Sequence, residues 1–500
     1  MKFLYYDVAF LVLFCLFLVV FLIKKKKNLK VESKVFFLYP TKFGLEFINK
    51  SAKQHKKLLH IASYFVISIG YILMIASIWL FIEMVKNLIE IPLLSKMMKI
   101  PPIMPIFPYF TQAFKIDYLP PFYFTYWIIA IGVIALSHEF AHGIFSKFYG
   151  VKVKSTGFGF LGPFIAAFVE PDEKQLIKKN NFSQIVILSA GSFANVIMTL
   201  LFGIIMIAFA KIFFFPAGVI FDTYLTTNVN VTDITQIGMI NTSNLSTSQF
   251  IYLINNTDSN NPDFIATINN RYINLTKINA YGKEFLSPKE LMLALALSAQ
   301  NKSIPAEIIV FDDAPAIKMG IAGAISKINS QKIDSVESLR RELSKYKPYE
   351  EITVETINQN YERKTVSLTL SANSKNKSQA ILGIGFLQNP DTLSSKLASF
   401  AQKIGKKIRD TAIFYVPIAF PSLMIFIYNL LWWIVLLNIS VALMNMLPLS
   451  GVFDGGKVFY LTMLVLTKSK NKAEIISKIM KWLLVLLLIL IMVIWWVNTR

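Results

Sequence analysis

The chain has 500 residues, of which 54% are hydrophobic and 16% are charged, and its formal net charge is +21 at pH 7. Soluble domains are typically about a quarter charged, so this composition favours a membrane protein. The lysines cluster beside apolar runs, which favours the positive-inside bias of membrane proteins over binding to nucleic acid. Cys15 is the only cysteine, which excludes an intramolecular disulfide and a zinc site built from cysteines.

Six apolar runs approach or exceed the roughly 20 residues that a helix needs to cross a bilayer. In chain order they cover residues 8–23, 61–85, 122–145, 185–213, 424–447 and 482–497. The fifth run belongs to a longer apolar stretch, in which we expect Pro417 and Pro421 to break the helix. The sequence therefore predicts a mainly α fold, a polytopic membrane helical bundle of about six spans.

The lysines orient these spans. Lys24 to Lys27 follow the first run directly, whereas a cleaved signal peptide carries its charge before the apolar run. We therefore expect an uncleaved anchor. Lysines also mark the segment 28–60, the loop 151–181 and the stretch before the last span, and the positive-inside bias places all three in the cytoplasm. The polar region 217–407 then lies outside the cell.

This polar region contains Asn-x-Ser/Thr triplets, among them those at Asn230, Asn241, Asn244, Asn255, Asn274 and Asn301. They are compatible with an exported and glycosylated domain. An asparagine-rich sequence also produces such triplets by chance, so both interpretations stay open.

The third apolar run contains the pattern H-E-x-x-H, at His138, Glu139 and His142. Residues four apart share one face of a helix, so both imidazoles can reach one ion. Glu139 then flanks the metal and can act as a general base. The pattern also arises by chance, but polar side chains in an apolar span are costly and mark function. We therefore predict a zinc site, with one position left open for water.

Two histidines leave a third protein ligand to be found. Asp454 is the candidate, because Pro448 and the glycines around it break an apolar stretch. Non-helical backbone at membrane depth is tolerated where it is buried in protein or lines a wet cavity. The alternative is an ordinary loop before a surface helix, with Asp454 as its N-cap.

Taken together, these segments resemble the site-2 protease family, and its archaeal branch in particular. The resembling segments, in chain order, are YPTKFG at 39–44, IALSHEFAHG at 134–143, AAFVEPDEKQL at 166–176, AGSFAN at 190–195 and NMLPLSGVFDGG at 445–456. The resemblance covers most of the chain outside about 218–310. It implies an intramembrane zinc metalloprotease with His138, His142 and Asp454 as ligands.

One residue and one spacing depart from the family pattern. Ser192 stands where the family usually has proline, and the spacing from Asn445 to Asp454 is one residue longer. By resemblance, Asn445 helps to position the substrate or to stabilise the oxyanion, which an amide donor can do. It could equally form a hydrogen bond between helices.

Residues 313–370 alternate strand and helix patterns, which favours an inserted extracytoplasmic α+β PDZ-like domain. Such modules bind a peptide at a sheet edge, although this one could also be a steric filter. A second, diverged module is suggested by Tyr281 to Phe285 and by helical spacing over 289–298. The predicted domains are an anchor and basic segment (1–60), a membrane core (61–215), an exported region (216–312), the PDZ-like domain (313–372) and a C-terminal core (373–500).

We therefore expect a multi-pass protein of the cell membrane that hydrolyses peptide bonds in or near transmembrane segments of membrane-anchored substrates. Its active site would lie within the bilayer, toward the cytoplasmic side. The alternative is a metal-binding transporter or sensor that uses the exported domain as a receptor. A transporter has no evident need for a general base beside its metal, so Glu139 distinguishes the two.

Overall fold

The computed structural model describes residues 2–32, 36–90, 100–104, 106–116, 119–161, 164–230, 233–237, 240–241, 264–268, 271–280, 283–288, 307–358, 360–373, 376–386 and 412–499. The chain forms two compact units. One comprises Met1–Phe209 with Ile425–Arg500, and the other comprises Ala210–Met424.

The described helices are α1 (Lys2–Lys24), α2 (Leu45–Gln54), α3 (Lys56–Glu90), α4 (Phe110–Ala113), α5 (Phe124–Phe148), α6 (Glu173–Ile177), α7 (Asn181–Phe213), α8 (Pro315–Lys318), α9 (Val336–Leu343), α10 (Pro421–Asn445), α11 (Asp454–Thr467) and α12 (Lys470–Thr499). Six of these, α1, α3, α5, α7, α10 and α12, are long and apolar enough to cross a membrane. The prediction of six spans is confirmed for the described part of the chain. The fifth span begins at Pro421, as expected for a proline in the first helical turn, where its missing N–H leaves no partner unpaired.

A four-stranded antiparallel sheet accompanies the membrane helices. It comprises β1 (Lys30–Glu32), β2 (Phe36–Thr41), β3 (Val153–Leu161) and β4 (Phe164–Pro171), paired in that order. The interpretation of 151–181 as a loop is therefore wrong, because most of it pairs as β3 and β4. Gly157 is required there, since a Cβ atom would lie 2.3 Å from the carbonyl oxygen of Tyr39 on β2.

A buried carboxylate ties α1 to the start of α5. Asp7 of α1 accepts hydrogen bonds from the backbone N–H groups of Phe124 and Thr125, at 2.8 and 3.0 Å, and from the Thr125 hydroxyl. The Tyr109 hydroxyl also donates to it, at 2.6 Å, and burial together with this bond raises the pKa of that hydroxyl. The N-cap residue of α5, Tyr123, makes no side-chain cap. Asp7 therefore caps α5 from another helix, a role that its position just before the first apolar run did not predict.

The second unit is built around two larger sheets. The strands of the first are β7 (Thr226–Asn230), β8 (Ile234–Ile237), β9 (Ile240–Asn241), β10 (Phe264–Ile268), β11 (Arg271–Ala280), β12 (Lys283–Pro288) and β13 (Glu307–Asp312). They run in the order β7-β13-β12-β11-β8-β9, with β10 also on β11. The helix predicted for 289–298 lies outside the described residues, as do the triplets at Asn244, Asn255 and Asn301.

The second sheet contains β5 (Phe214–Ile220), β14 (Ala324–Ile328), β15 (Gln331–Lys332), β16 (Glu351–Ile357), β17 (Arg363–Thr369) and β21 (Ile413–Pro417). Its order is β17-β16-β14-β5-β21, with β15 on β14. Short pairs, β6 (Thr223–Tyr224) with β20 (Ile384–Gly385) and β18 (Ser371–Ala372) with β19 (Ala380–Ile381), complete the unit.

The predicted helix and strands of 313–370 are thus present as α8, β14, α9, β16 and β17. The sheet also draws on β5 and β21, which pair with each other and lie outside the predicted domain boundaries. The chain therefore enters and leaves the second unit on neighbouring strands. The PDZ-like identity and the boundaries of the five predicted domains stay predictions.

Candidate metal centre

Helix α5 carries the H-E-x-x-H pattern at the helical spacing that the sequence predicts. The Nε2 atoms of His138 and His142, one turn apart, lie 3.0 Å from each other. Both imidazoles are largely buried, and His138 is 8% exposed. The two ring nitrogens therefore point to one place inside the unit.

The carboxylate of Asp454, more than 300 residues later in the chain, lies beside the same two Nε2 atoms. Its Oδ2 lies 3.7 Å from Nε2 of His138 and 3.4 Å from Nε2 of His142. Asp454 is the first residue of α11, and the N-cap is Phe453, so the alternative role of Asp454 as an N-cap does not hold. The structure thus brings together the three residues that the sequence predicted as ligands.

Two glycines allow the chain to turn back at this position. A Cβ atom on Gly455 would lie 2.2 Å from the carbonyl oxygen of Met446. A Cβ atom on Gly456 would lie 2.5 Å from Cα of Ser450. The loop between α10 and α11 therefore packs directly on the first turn of α11, which fixes the position of the Asp454 side chain.

The three ligand atoms suit a zinc ion. All three lie within 4.8 Å of one another, and the distances above run from 3.0 to 3.7 Å. Ligands about 2.1 Å from a tetrahedral ion lie about 3.4 Å apart. Two imidazoles and one carboxylate also match the ligand types of catalytic zinc sites, which keep a fourth position open. The donor set and its spacing therefore fit the predicted metal.

Glu139 lies outside this trio. Its Oε2 accepts a hydrogen bond of 2.8 Å from the backbone N–H of Val169, on the edge strand β4. One N–H occupies only part of the hydrogen-bonding capacity of a carboxylate, which has about four acceptor sites. A small recess beside Glu139 is lined by aromatic side chains, among them Phe43, Phe140 and Phe158. The hydrogen bond from Val169 therefore leaves further acceptor sites on the Glu139 carboxylate open.

Helix α7 packs one face against both imidazoles. The carbonyl oxygen of Ile187 lies 2.7 Å from Nδ1 of His142, and Nδ2 of Asn195 lies 3.2 Å from Nδ1 of His138. Gly191 lies between them, and a Cβ atom there would be 2.4 Å from Nε2 of each histidine. The sequence identified 190–195 only by resemblance, and a backbone carbonyl such as that of Ile187 leaves no signal in a sequence.

Gly191→Ala should weaken zinc binding by about 5- to 150-fold. The added methyl group would displace the imidazoles, and overpacking of this kind typically costs about 1–3 kcal/mol. Gly203→Ala is the matched control, because Gly203 lies on the same helix and its Cβ would meet nothing within 4 Å. Competition with a chelator measures both affinities in detergent. Equal affinities for the two variants would contradict the close contact described here.

The remaining candidates lie elsewhere. Asn445 is the last residue of α10 and is half-buried, and its proposed catalytic support stays a prediction. His55 follows α2 and is exposed, and His60 lies in α3 with its ring edge-on to Tyr64. Neither belongs to the metal-ligating group found among the described residues.

Comparison with known proteins identifies a family and a relative. Peptidase family M50 matches residues 126–490, a range that contains His138, Glu139, His142 and Asp454. An uncharacterized protein of Methanocaldococcus jannaschii is 32% identical over 198 residues, which cover 39% of this chain and 49% of that protein. The chain therefore matches about half the length of this relative.

Proposed function

This chain belongs to peptidase family M50, and from that premise we propose that it hydrolyses peptide bonds in or near transmembrane segments of membrane-anchored proteins. Membership confirms the resemblance to the site-2 protease family that the motifs indicated. Members of this family are zinc metallopeptidases of membranes, and the six apolar helices agree with a multi-pass membrane protein. What we propose beyond family membership is the position of the cleaved bond, the class of substrate and the roles of individual residues.

One observation carries the proposal. The long apolar helices α5 and α7 and the first turn of α11 meet at His138, His142 and Asp454, with Glu139 beside this trio and outside it. Polar groups at membrane depth are costly unless they serve a function. A carboxylate beside a metal site, free to exchange a proton, is what peptide hydrolysis needs and simple metal binding does not.

The residues then have separate roles. His138, His142 and Asp454 would hold zinc, which when bound supplies Lewis acidity that polarises a carbonyl and acidifies water. Glu139 takes a proton from the attacking water and delivers it to the leaving amine. The N–H of Val169 holds the Glu139 carboxylate in place. By resemblance to the family, the Asn445 amide would donate to the developing oxyanion.

The orientation in the membrane follows from the lysines. Lys24 to Lys27 end α1 and begin the segment after it, and Lys468 to Lys481 surround the start of α12. The positive-inside bias puts these ends in the cytoplasm, and the second unit outside. The active site would then lie within the bilayer toward the cytoplasmic side. Labelling of introduced cysteines with an impermeant reagent, in a Cys15→Ser background, is the measurement that tests this.

The second unit is proposed to select substrates. Its β14, α9, β16 and β17 follow the strand and helix pattern of a PDZ-like domain, which would bind an extended peptide at a sheet edge. A bulky filter without a peptide ligand is the alternative. Titration of the whole protein with labelled peptides distinguishes a binding module from a filter.

The experiment that tests the function is cleavage of a panel of membrane-anchored candidates by the purified protein, with and without a metal chelator. We expect cuts within or beside the transmembrane segment, loss of cutting with chelator and recovery on adding zinc. The control substrate is the soluble domain of a panel protein without its transmembrane segment, and it should stay intact. Chelator-resistant cleavage, or cuts confined to soluble domains, would contradict the proposal.

A further inference from the structure

Three residues of α7 spaced four apart face the two imidazoles. Ile187, Gly191 and Asn195 form a single stripe along the helix, because residues i and i+4 share a face. Gly191 permits the close approach of the helix to the imidazoles. Ile187, one turn before it, brings its carbonyl oxygen to Nδ1 of His142, and Asn195, one turn after it, brings its amide to Nδ1 of His138. Ile187 and Asn195 therefore contact the histidines at Nδ1, whereas Nε2 of each histidine faces Asp454.

The hydrogen bond at Nδ1 determines which nitrogen of a neutral histidine can coordinate a metal. For His142 the partner is the carbonyl oxygen of Ile187, at 2.7 Å, which can only accept. Nδ1 therefore carries the hydrogen, and Nε2 has a lone pair directed toward Asp454. The backbone of α7 thus selects the metal-competent tautomer of His142.

For His138 the partner is a side-chain amide, which can either donate or accept. Asn195 is fully buried, with its amide head against Nδ1 of His138 at 3.2 Å. Its Oδ1 is buried and, among the described residues, has no hydrogen-bond partner. Rotation of the amide about χ2 exchanges the oxygen and the nitrogen without moving α7. Only the orientation with Oδ1 on Nδ1 leaves the Nε2 lone pair of His138 free for a metal.

We propose that Asn195 is a positioning residue whose Oδ1 accepts the Nδ1 hydrogen of His138, and that this contact sets the tautomer, the ring orientation and the zinc affinity of the site. The inference rests on the proposed role of His138 as a ligand. It assigns a purpose to the AGSFAN segment, in which the four-residue spacing from Gly191 to Asn195 matches the spacing of His138 and His142 on α5.

The test uses the full-length protein in detergent and compares Asn195→Leu, Asn195→Asp and Asn438→Leu. Leucine has a similar volume and no acceptor, whereas aspartate can only accept. Asn438 is the matched control, because it is also fully buried on a long apolar helix. Its Oδ1 has no hydrogen-bond partner in the described part of the chain, and its Nδ2 donates to the carbonyl oxygen of Ile434 on its own helix. The readouts are zinc affinity by chelator competition and the visible spectrum of the Co²⁺-substituted protein.

We expect Asn195→Leu to bind zinc about 10–100-fold more weakly, the usual effect of losing a hydrogen-bond partner of a metal-ligating histidine. Asn195→Asp should retain or exceed the wild-type affinity, and Asn438→Leu should match the wild type in affinity and in the Co²⁺ spectrum. If Asn195→Leu cannot be purified, Asn195→Ala replaces it. Wild-type affinity and spectrum without the acceptor, or equal loss with leucine and aspartate, would overturn the proposal.

A His138→Ala variant separates this inference from the proposed function. If His138→Ala binds zinc as tightly as the wild type, the ligand assignment itself is wrong. If His138→Ala loses zinc while the Asn195 variants behave as the wild type, only the role of Asn195 fails.

Discussion

Glu139→Gln should leave zinc bound and the fold intact while cleavage of a transmembrane test substrate falls by about 10²-fold or more, the usual scale for a lost general base. Glu139 follows His138 directly and points about 100° away from it around the helix, so it flanks the metal position. Its Oε2 is bonded to the N–H of Val169 and lies outside the ligand group. Glutamine keeps the shape and loses the ability to take a proton.

The measurement is zinc content and cleavage rate on the same preparations. Ser137→Ala is the control, because Ser137 precedes the pattern on the same helix and its hydroxyl bonds to the carbonyl oxygen of Val133. It should keep both zinc and activity. Normal cleavage by Glu139→Gln would refute the proteolytic mechanism and favour the metal transporter or sensor.

The double variant His138→Ala/His142→Ala should lose both zinc and cleavage. This variant removes two of the three proposed protein ligands, so zinc content should fall from about one ion per chain to near zero. Asp454→Asn should lower zinc retention less completely, because an amide oxygen remains within reach of the ion. Elemental analysis after dialysis against a weak chelator measures the zinc content of the wild type, the double variant and Asp454→Asn.

The chain offers a matched control in its two other histidines. His55→Ala/His60→Ala removes the same number of imidazoles from exposed positions outside the ligand group. This variant should keep its zinc and its activity. Full zinc occupancy in the His138/His142 variant would show that the ion is held elsewhere.

The metal group could be predicted from sequence because its signals are local. Helical spacing places His138 and His142 on one face, and their apolar surroundings make chance an inadequate explanation. Asp454 needed the additional argument that Pro448 and the glycines break a helix at membrane depth. Each step depends on residues close together in the chain.

The contacts that orient the site are not local and were missed. Asn195 was part of a family motif, but nothing in the motif names His138 as its partner. Asp7 has a usable signal, since a carboxylate in an apolar helix demands a partner, yet that partner is the start of α5. The strands β3 and β4 were missed because neither alternates polar and apolar residues along its whole length: glycine and phenylalanine alternate over 157–160 of β3, and β4 is apolar up to Glu170.

The position of Asp454 also bears on the synthesis of the protein. Roughly 300 residues separate His142 from Asp454, and a ribosome adds about 5–20 residues per second, so the interval is on the order of 15–60 s. During that time the nascent chain carries both histidines without their carboxylate partner. Five of the six long apolar helices of the described chain precede Asp454. Under the proposed function, a ligand placed this late would keep the hydrolytic centre incomplete until most of the membrane bundle has been made.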